Sequence, residues 1–161
     1  MTEAERILDQ YDRVMNGDAW HGDPVWKILG GISADIAARR VEAKTHTIWE
    51  LVSHMTFWET EVCRALNGLP ARSVAEMNFP AMPEATQQNW SDTLAGLRQS
   101  NADFRQCVSE LDPARLDETT PGRNRTIYVD VHGVIQHHIF HAGQIVILSK
   151  FCLQNTELAG L

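Results

Sequence analysis

Apolar residues recur at helical spacing in four long stretches of the chain. These stretches are residues 3–15, 47–66, 86–111 and 131–150. Thr2 with Glu5, and Thr47 with Glu50, form the capping-box pattern at the first two starts. An Asn-Gly pair follows each of these two stretches, as is usual where a helix ends. The pattern predicts an all-α protein, a four-helix bundle.

Two shorter helices are predicted between the first two long ones, at 24–29 and 34–40. An Asp-Pro pair opens the first of them, with proline at the first helical position. We expect Trp20 and Trp26 to pack this segment against the bundle.

Two loops separate the later helices. Residues 69–85 include Met77, Phe79 and Met82, and such apolar residues in a long loop suit a cover over one end of the bundle. Residues 116–125 carry several charged groups, which either line a substrate entrance or are simply solvated.

Composition narrows the class of protein. A chain of 161 residues with 43% hydrophobic residues predicts one globular domain, residues 1–161. The net charge of −7 and the lack of a basic stripe argue against nucleic acid as a partner. No apolar run approaches the ~20 residues of a membrane span, and the acidic, amphipathic first stretch is unlike a signal peptide. Three well-separated cysteines without a CxxC pattern indicate a reducing, cytoplasmic location.

The last long stretch concentrates the chemistry, because it holds four of the seven histidines. On a helical wheel His137 and His141 lie within the apolar face, one turn apart, and His138 flanks that face. Two imidazoles at this spacing can bind one metal ion. Two core histidines with separate hydrogen-bond partners are the alternative interpretation.

A third metal ligand is available on the second long helix. His54 lies at the edge of its apolar face, and the inner faces of two bundle helices can converge. Together with His137 and His141 it predicts a three-nitrogen site whose fourth position is open, the pattern of catalytic zinc; nickel or iron also suits nitrogen ligands. Glu61 lies two turns further along and is a candidate hydrogen-bond partner of a metal ligand or a candidate general base for a metal-bound water, although an exposed carboxylate at the edge of a helix interface is the simpler interpretation. The chain lacks the Glu-x-x-His pairs of di-iron bundles and the His-Glu-x-x-His of zincin proteases.

The segments HTIWELVSHMTFWE (46–59) and HHIFHAGQIVILSK (137–150) resemble the DinB/YfiT-like superfamily of metal-binding four-helix proteins, and residues 19–40 resemble one branch of it. The resemblance implies an up-down-down-up bundle that binds a divalent metal, zinc or nickel, through His54, His137 and His141. It also implies a homodimer. Some members are described as metal-dependent hydrolases, and others are transferases or isomerases that use a low-molecular-weight thiol such as mycothiol or bacillithiol.

Two classes of function follow from the predicted site. In a metal enzyme acting on a small molecule, the metal activates water or an incoming thiol, and Glu61 or His138 transfers the proton. In a structural or regulatory protein, the metal only joins two helices. His138 is an addition to the usual spacing, so it is also a candidate hydrogen-bond donor beside the metal ligands, a competing ligand or a polar flank.

Overall fold

The computed structural model describes residues 1–70, 72 and 77–158, with side chains up to residue 154. Its helices are α1 (Glu3–Asn16), α2 (Val25–Leu29), α3 (Ala34–Ala38), α4 (Ile48–Leu66), α5 (Gln87–Ser109) and α6 (Ile127–Leu158). A 3-10 turn spans Pro113–Arg115, and the described residues contain no strand, only an isolated bridge between Thr119 and Thr126. The all-α prediction is confirmed, and the up-down-down-up order stays a prediction.

The long helices begin where their caps predict. The Thr2 hydroxyl accepts from the Glu5 backbone N–H at 3.2 Å, while the Glu5 carboxylate accepts from the Thr2 N–H at 2.7 Å. Thr47 and Glu50 exchange the same pair of bonds at the start of α4, at 3.1 and 2.7 Å. Each capping box satisfies two backbone donors that a helix start otherwise leaves unpaired.

The last helix is longer than its apolar pattern predicts. α6 begins at Ile127 instead of Val131 and continues to Leu158 instead of Lys150. Neither glycine nor proline follows Lys150 until residue 160, so nothing in the local sequence stops the helix there.

The core lies where α4 packs between α5 and α6, with α1 covering α5 and α6. Aromatic pairs fill it: Trp49 lies 5.1 Å from Trp90, and Tyr11 lies 4.8 Å from Phe104, measured between ring centroids. The buried Trp90 indole donates to the Ile32 carbonyl at 2.8 Å, which ties the chain before α3 to α5.

The prediction for the two tryptophans is half wrong. Trp20 is completely exposed, because it lies in the turn between α1 and α2, outside either helix. Trp26 is half-buried, and the Arg98 guanidinium lies 3.9 Å from the centre of its ring.

Two further observations concern the surface. Among the described residues, no helix is long and apolar enough to cross a membrane. One face of α6 nevertheless exposes three large apolar side chains, Phe140, Ile147 and Phe151, which recur at helical spacing.

Candidate metal centre

Three histidine side chains meet between α4 and α6. His137 Nε2 lies 2.9 Å from His54 Nε2 and 2.9 Å from His141 Nε2. All three ligand atoms lie within 4.8 Å of one another. His54 and His141 are buried and His137 is half-buried, so water screens this cluster poorly.

The outer nitrogens of two of these rings are held by oxygen acceptors. His54 Nδ1 donates to the Asn78 carbonyl at 3.0 Å, and His141 Nδ1 donates to Gln144 Oε1 at 2.6 Å. Because each ring carries its hydrogen on Nδ1, its Nε2 lone pair faces the cluster. Gln144 therefore orients the His141 ring.

This arrangement fits a cation better than it fits three isolated imidazoles. A proton on His137 Nε2 can be donated to only one of the two facing lone pairs, so the other lone pair has no hydrogen-bond donor there. His137 Nδ1 is also buried and has no hydrogen-bond partner among the described residues. A metal ion would satisfy all three Nε2 lone pairs at once.

Burial also keeps the cluster in the form that binds metal. Desolvation is the main cause that lowers the pKa of His137 to about 3, and the neighbouring His141 lowers it further. Burial likewise lowers the pKa of His141 to about 4, against an opposing effect of the Gln144 hydrogen bond. The pKa of His54 is lowered for the same main reason. All three rings are therefore neutral at pH 7, as metal ligation requires.

Phe79 covers one face of the cluster. Its ring stacks on His54 with centroids 4.3 Å apart and planes within 2°, and on its other side it stacks on His46 at 3.8 Å. The loop 69–85 thus contributes a cover over the site, although residues 71 and 73–76 of that prediction lie outside the described residues.

Glu61, the candidate general base, lies apart from the three ligand atoms. Its carboxylate accepts from the Arg72 backbone N–H at 3.0 Å and from the Arg72 side chain, with Arg64 Nε at 3.5 Å. Burial alone would raise the pKa of Glu61, but the hydrogen bonds from Arg72 outweigh it and lower that pKa overall. The residue is buried, so the exposed-carboxylate interpretation is wrong.

His138, the other candidate for proton transfer, is fully buried in a separate polar network. Its Nδ1 donates to the Val134 carbonyl at 2.8 Å. Its Nε2 lies 2.8 Å from Glu59 Oε1, at an angle too bent for a full hydrogen bond. Neither His138 nor Glu61 belongs to the three-histidine group.

Glu59 is a further buried acid, and it was not among the residues predicted from the sequence. Its carboxylate accepts from the Tyr11 hydroxyl at 2.5 Å, from Asn101 Nδ2 at 2.8 Å and from the Ser100 hydroxyl. The signal was available, because Glu59 lies four residues after Met55 and three before Val62, within the apolar face of α4.

A cavity of about 330 Å³ opens beside His137. Its lining includes apolar side chains, one metal-ligand candidate and two arginines: Trp58, Val62, Val134, His137, Arg123 and Arg125. The size is at the small end of the range for ligand pockets, so a small molecule would fit next to the cluster.

Comparison with known proteins identifies the family. The family model described as the DinB superfamily matches residues 19–145, which include all three clustered histidines. The chain therefore belongs to the DinB superfamily, and the resemblance predicted from its histidine-bearing segments is confirmed. No curated protein and no solved structure matches the chain.

Proposed function

We propose that this DinB-superfamily protein is a metal-dependent hydrolase that holds one divalent metal ion, zinc or nickel, through His54, His137 and His141. The observation that carries the proposal is the convergence of three Nε2 atoms, with 2.9 Å between His137 and each of the other two. Three protein ligands leave a coordination position for water or substrate, as in catalytic zinc sites.

The chain's own groups prepare this site in two ways. Asn78 and Gln144 hold the His54 and His141 rings with Nε2 facing the cluster, which is the ring orientation that metal binding requires. The cavity next to His137 gives a small substrate access to the same place. A bound divalent ion supplies Lewis acidity, which lowers the pKa of a water or thiol beside the three nitrogens. We assign no catalytic step to Glu61 or His138, because Glu61 is hydrogen-bonded to Arg72 and His138 contacts Glu59.

Metal content is the direct test. Untagged protein, purified without a metal column, is analysed by inductively coupled plasma mass spectrometry beside His141→Ala. We expect about one zinc or nickel per wild-type chain and almost none in the variant. His132→Ala is the matched control, because His132 lies on the same helix outside the cluster and should leave the metal in place. Wild-type protein that stays metal-free after incubation with zinc and nickel would refute the proposal.

Two other roles for the same metal, in thiol transfer and in structural support, predict different experimental results. A low-molecular-weight-thiol transferase would turn over an electrophile only when a thiol is added, whereas a hydrolase would cleave esters or amides without one. A purely structural metal would join α4 to α6, so chelation would unfold the protein. A folded apo-protein that loses and regains ester or amide cleavage with the metal supports the hydrolase.

We also propose that the protein is a homodimer that uses the exposed face of α6. The support is the apolar stripe of Phe140, Ile147 and Phe151. Light scattering should give the mass of two chains for the wild type and of one chain for Phe151→Glu. A single-chain mass for the wild type at micromolar concentration would contradict this arrangement.

A further inference from the structure

The cavity beside His137 is lined by chemically different groups. Apolar side chains, among them Trp58 and Val134, line it together with His137, and Arg123 and Arg125 add two guanidinium groups. Such a mixture of apolar walls and a few placed charged groups is typical of a small-molecule site. The arginines take part in no contact with the three clustered histidines, so the metal proposal leaves them without a role.

The backbone presents both arginines from an anchored turn. The Thr120 N–H donates to the Arg125 carbonyl at 2.9 Å, and the Arg123 N–H donates to the Thr120 carbonyl at 3.0 Å. Gly122 lies between them with φ of 73°, a conformation that other residues rarely adopt. This turn leads directly into α6, which carries His137 and His141.

Arg123 is held in place by its side chain as well. Its side chain is only 12% exposed, with the guanidinium 5.6 Å from the centre of the Trp58 ring. Trp58 also lies 6.4 Å from both His54 and His137, measured between ring centroids. The same indole thus borders both the three-histidine cluster and Arg123.

The charges of Arg123, Arg125 and Asp130, which all line the cavity, do not balance. Asp130 Oδ1 lies 3.3 Å from Arg123 Nη1 and 2.5 Å from Arg125 Nε. One carboxylate therefore faces two guanidinium groups, and one positive charge is left over. Each guanidinium carries five N–H donors, and each uses one nitrogen toward Asp130, so donors remain for a ligand. This local excess is notable in a chain whose net charge is −7.

We propose that Arg123 and Arg125 form an anion-binding subsite, which makes the substrate a small molecule with a carboxylate or phosphate group. The anionic group binds at the arginines, where planar guanidinium donors suit its oxygens. The apolar part then fills the cavity along Trp58 toward His137. As a statement about the substrate, this inference rests on the proposed function; as a statement about anion binding, it does not.

Three matched probes test the subsite. 3-Phenylpropionate and 3-phenylpropionamide have nearly the same shape and differ in charge, while phenyl phosphate presents the other anion. Binding is measured by calorimetry on metal-free and on zinc-loaded protein, with the indole N–H signal of Trp58 as a local readout in NMR spectra. Metal-free protein matters because a carboxylate could otherwise bind the zinc itself.

We expect at least one anion to bind the metal-free protein about tenfold more tightly than the amide, since hydrogen bonds between charged groups are the strong ones. Arg125→Met should abolish this preference. Arg115→Met is the control, because Arg115 is a surface arginine paired with Glu118 and should keep the preference. Arg125 is the position to change, because Arg123 then remains to neutralise the buried Asp130.

The outcomes separate the two proposals. An Arg125-dependent preference for the carboxylate or the phosphate supports the subsite and identifies which anion it takes. Equal binding of the acids and the amide, or a preference that survives Arg125→Met, overturns it. If zinc and nickel do not bind but the preference persists, the hydrolase proposal fails while the anion subsite stands.

Discussion

Removing one hydroxyl group tests whether Glu59 is the charged centre of the core. The Tyr11 hydroxyl donates to Glu59 at 2.5 Å, and both residues are fully buried. Burial, followed by the neighbouring Glu59 charge, raises the pKa of Tyr11 far above its ordinary value, so the phenol stays protonated and donates. Tyr11→Phe leaves the ring in place and removes only this bond.

The expected cost follows from the type of hydrogen bond. A bond to a charged group contributes about 1.5–3 kcal/mol, and water cannot replace it at a buried position. For a protein of this size each kcal/mol corresponds to roughly 2–4 °C, so Tyr11→Phe should lower Tm by about 3–12 °C.

Denaturant and thermal unfolding of the metal-free protein measure this effect without contribution from metal binding. The control is Tyr128→Phe, which changes the other tyrosine of the chain, an exposed one, and should stay within about 0.5 kcal/mol of the wild type. If Tyr11→Phe costs no more than Tyr128→Phe, Glu59 is not an ionised acceptor and the network is weaker than its geometry indicates.

Three further predictions concern the histidines and cysteines. Zinc at about 1,000 times its Kd should stabilise the wild type by about 4 kcal/mol, or roughly 8–16 °C in Tm, and should not stabilise His141→Ala. Because the folded pKa values of His137 and His141 are about 3 and 4, below the ordinary 6.5, the metal-free protein should be fully stabilised above about pH 6.5. Its free energy of unfolding should fall as the pH falls toward 4. Between pH 7.5 and 5 each of these histidines accounts for at most about 2 kcal/mol of that decrease. Denaturant unfolding should show a smaller decrease for His141→Ala than for the wild type. Cys107 should be the first cysteine to react with iodoacetamide at pH 7.5, because it is half-exposed and the hydrogen bond with Cys63 lowers its pKa to about 7. Intact-protein mass spectrometry should show one fast adduct, which is absent in Cys107→Ser. Fast labelling of the buried Cys63 would contradict this prediction.

Local sequence signals predicted the fold well where local physics decides it. The capping boxes at Thr2 and Thr47 formed as expected, because each needs only residues three apart. The signals failed where distant packing decides. Trp20 is exposed because its turn projects away from the core, and apolar composition cannot predict the direction of a turn.

Local spacing also predicted the histidines of the candidate site, whereas the contacts around them depend on distant packing. The i, i+4 spacing places His137 and His141 on one side of any helix, so their pairing needs no tertiary information. The position of Arg123 beside the cavity depends on how the turn 119–126 packs against α4, where the Arg123 guanidinium lies against the Trp58 ring. That contact joins residues 65 positions apart, and no local pattern encodes it.

The two helices that carry the three clustered histidines, α4 and α6, are also joined on another side. On α6, His138 is about 100° around the helix from His137, and on α4, Glu59 is about 140° around from His54. The contact between His138 and Glu59 therefore links the same two helices from a second direction. Tyr11 on α1 and Asn101 on α5 bind the same carboxylate, so all four long helices meet at Glu59. Two separate contacts restrict the rotation of α4 against α6 more than either could alone. Because the convergence of the three Nε2 atoms depends on how α4 and α6 are rotated against each other, the buried network helps to set the geometry of the three-histidine cluster without belonging to it.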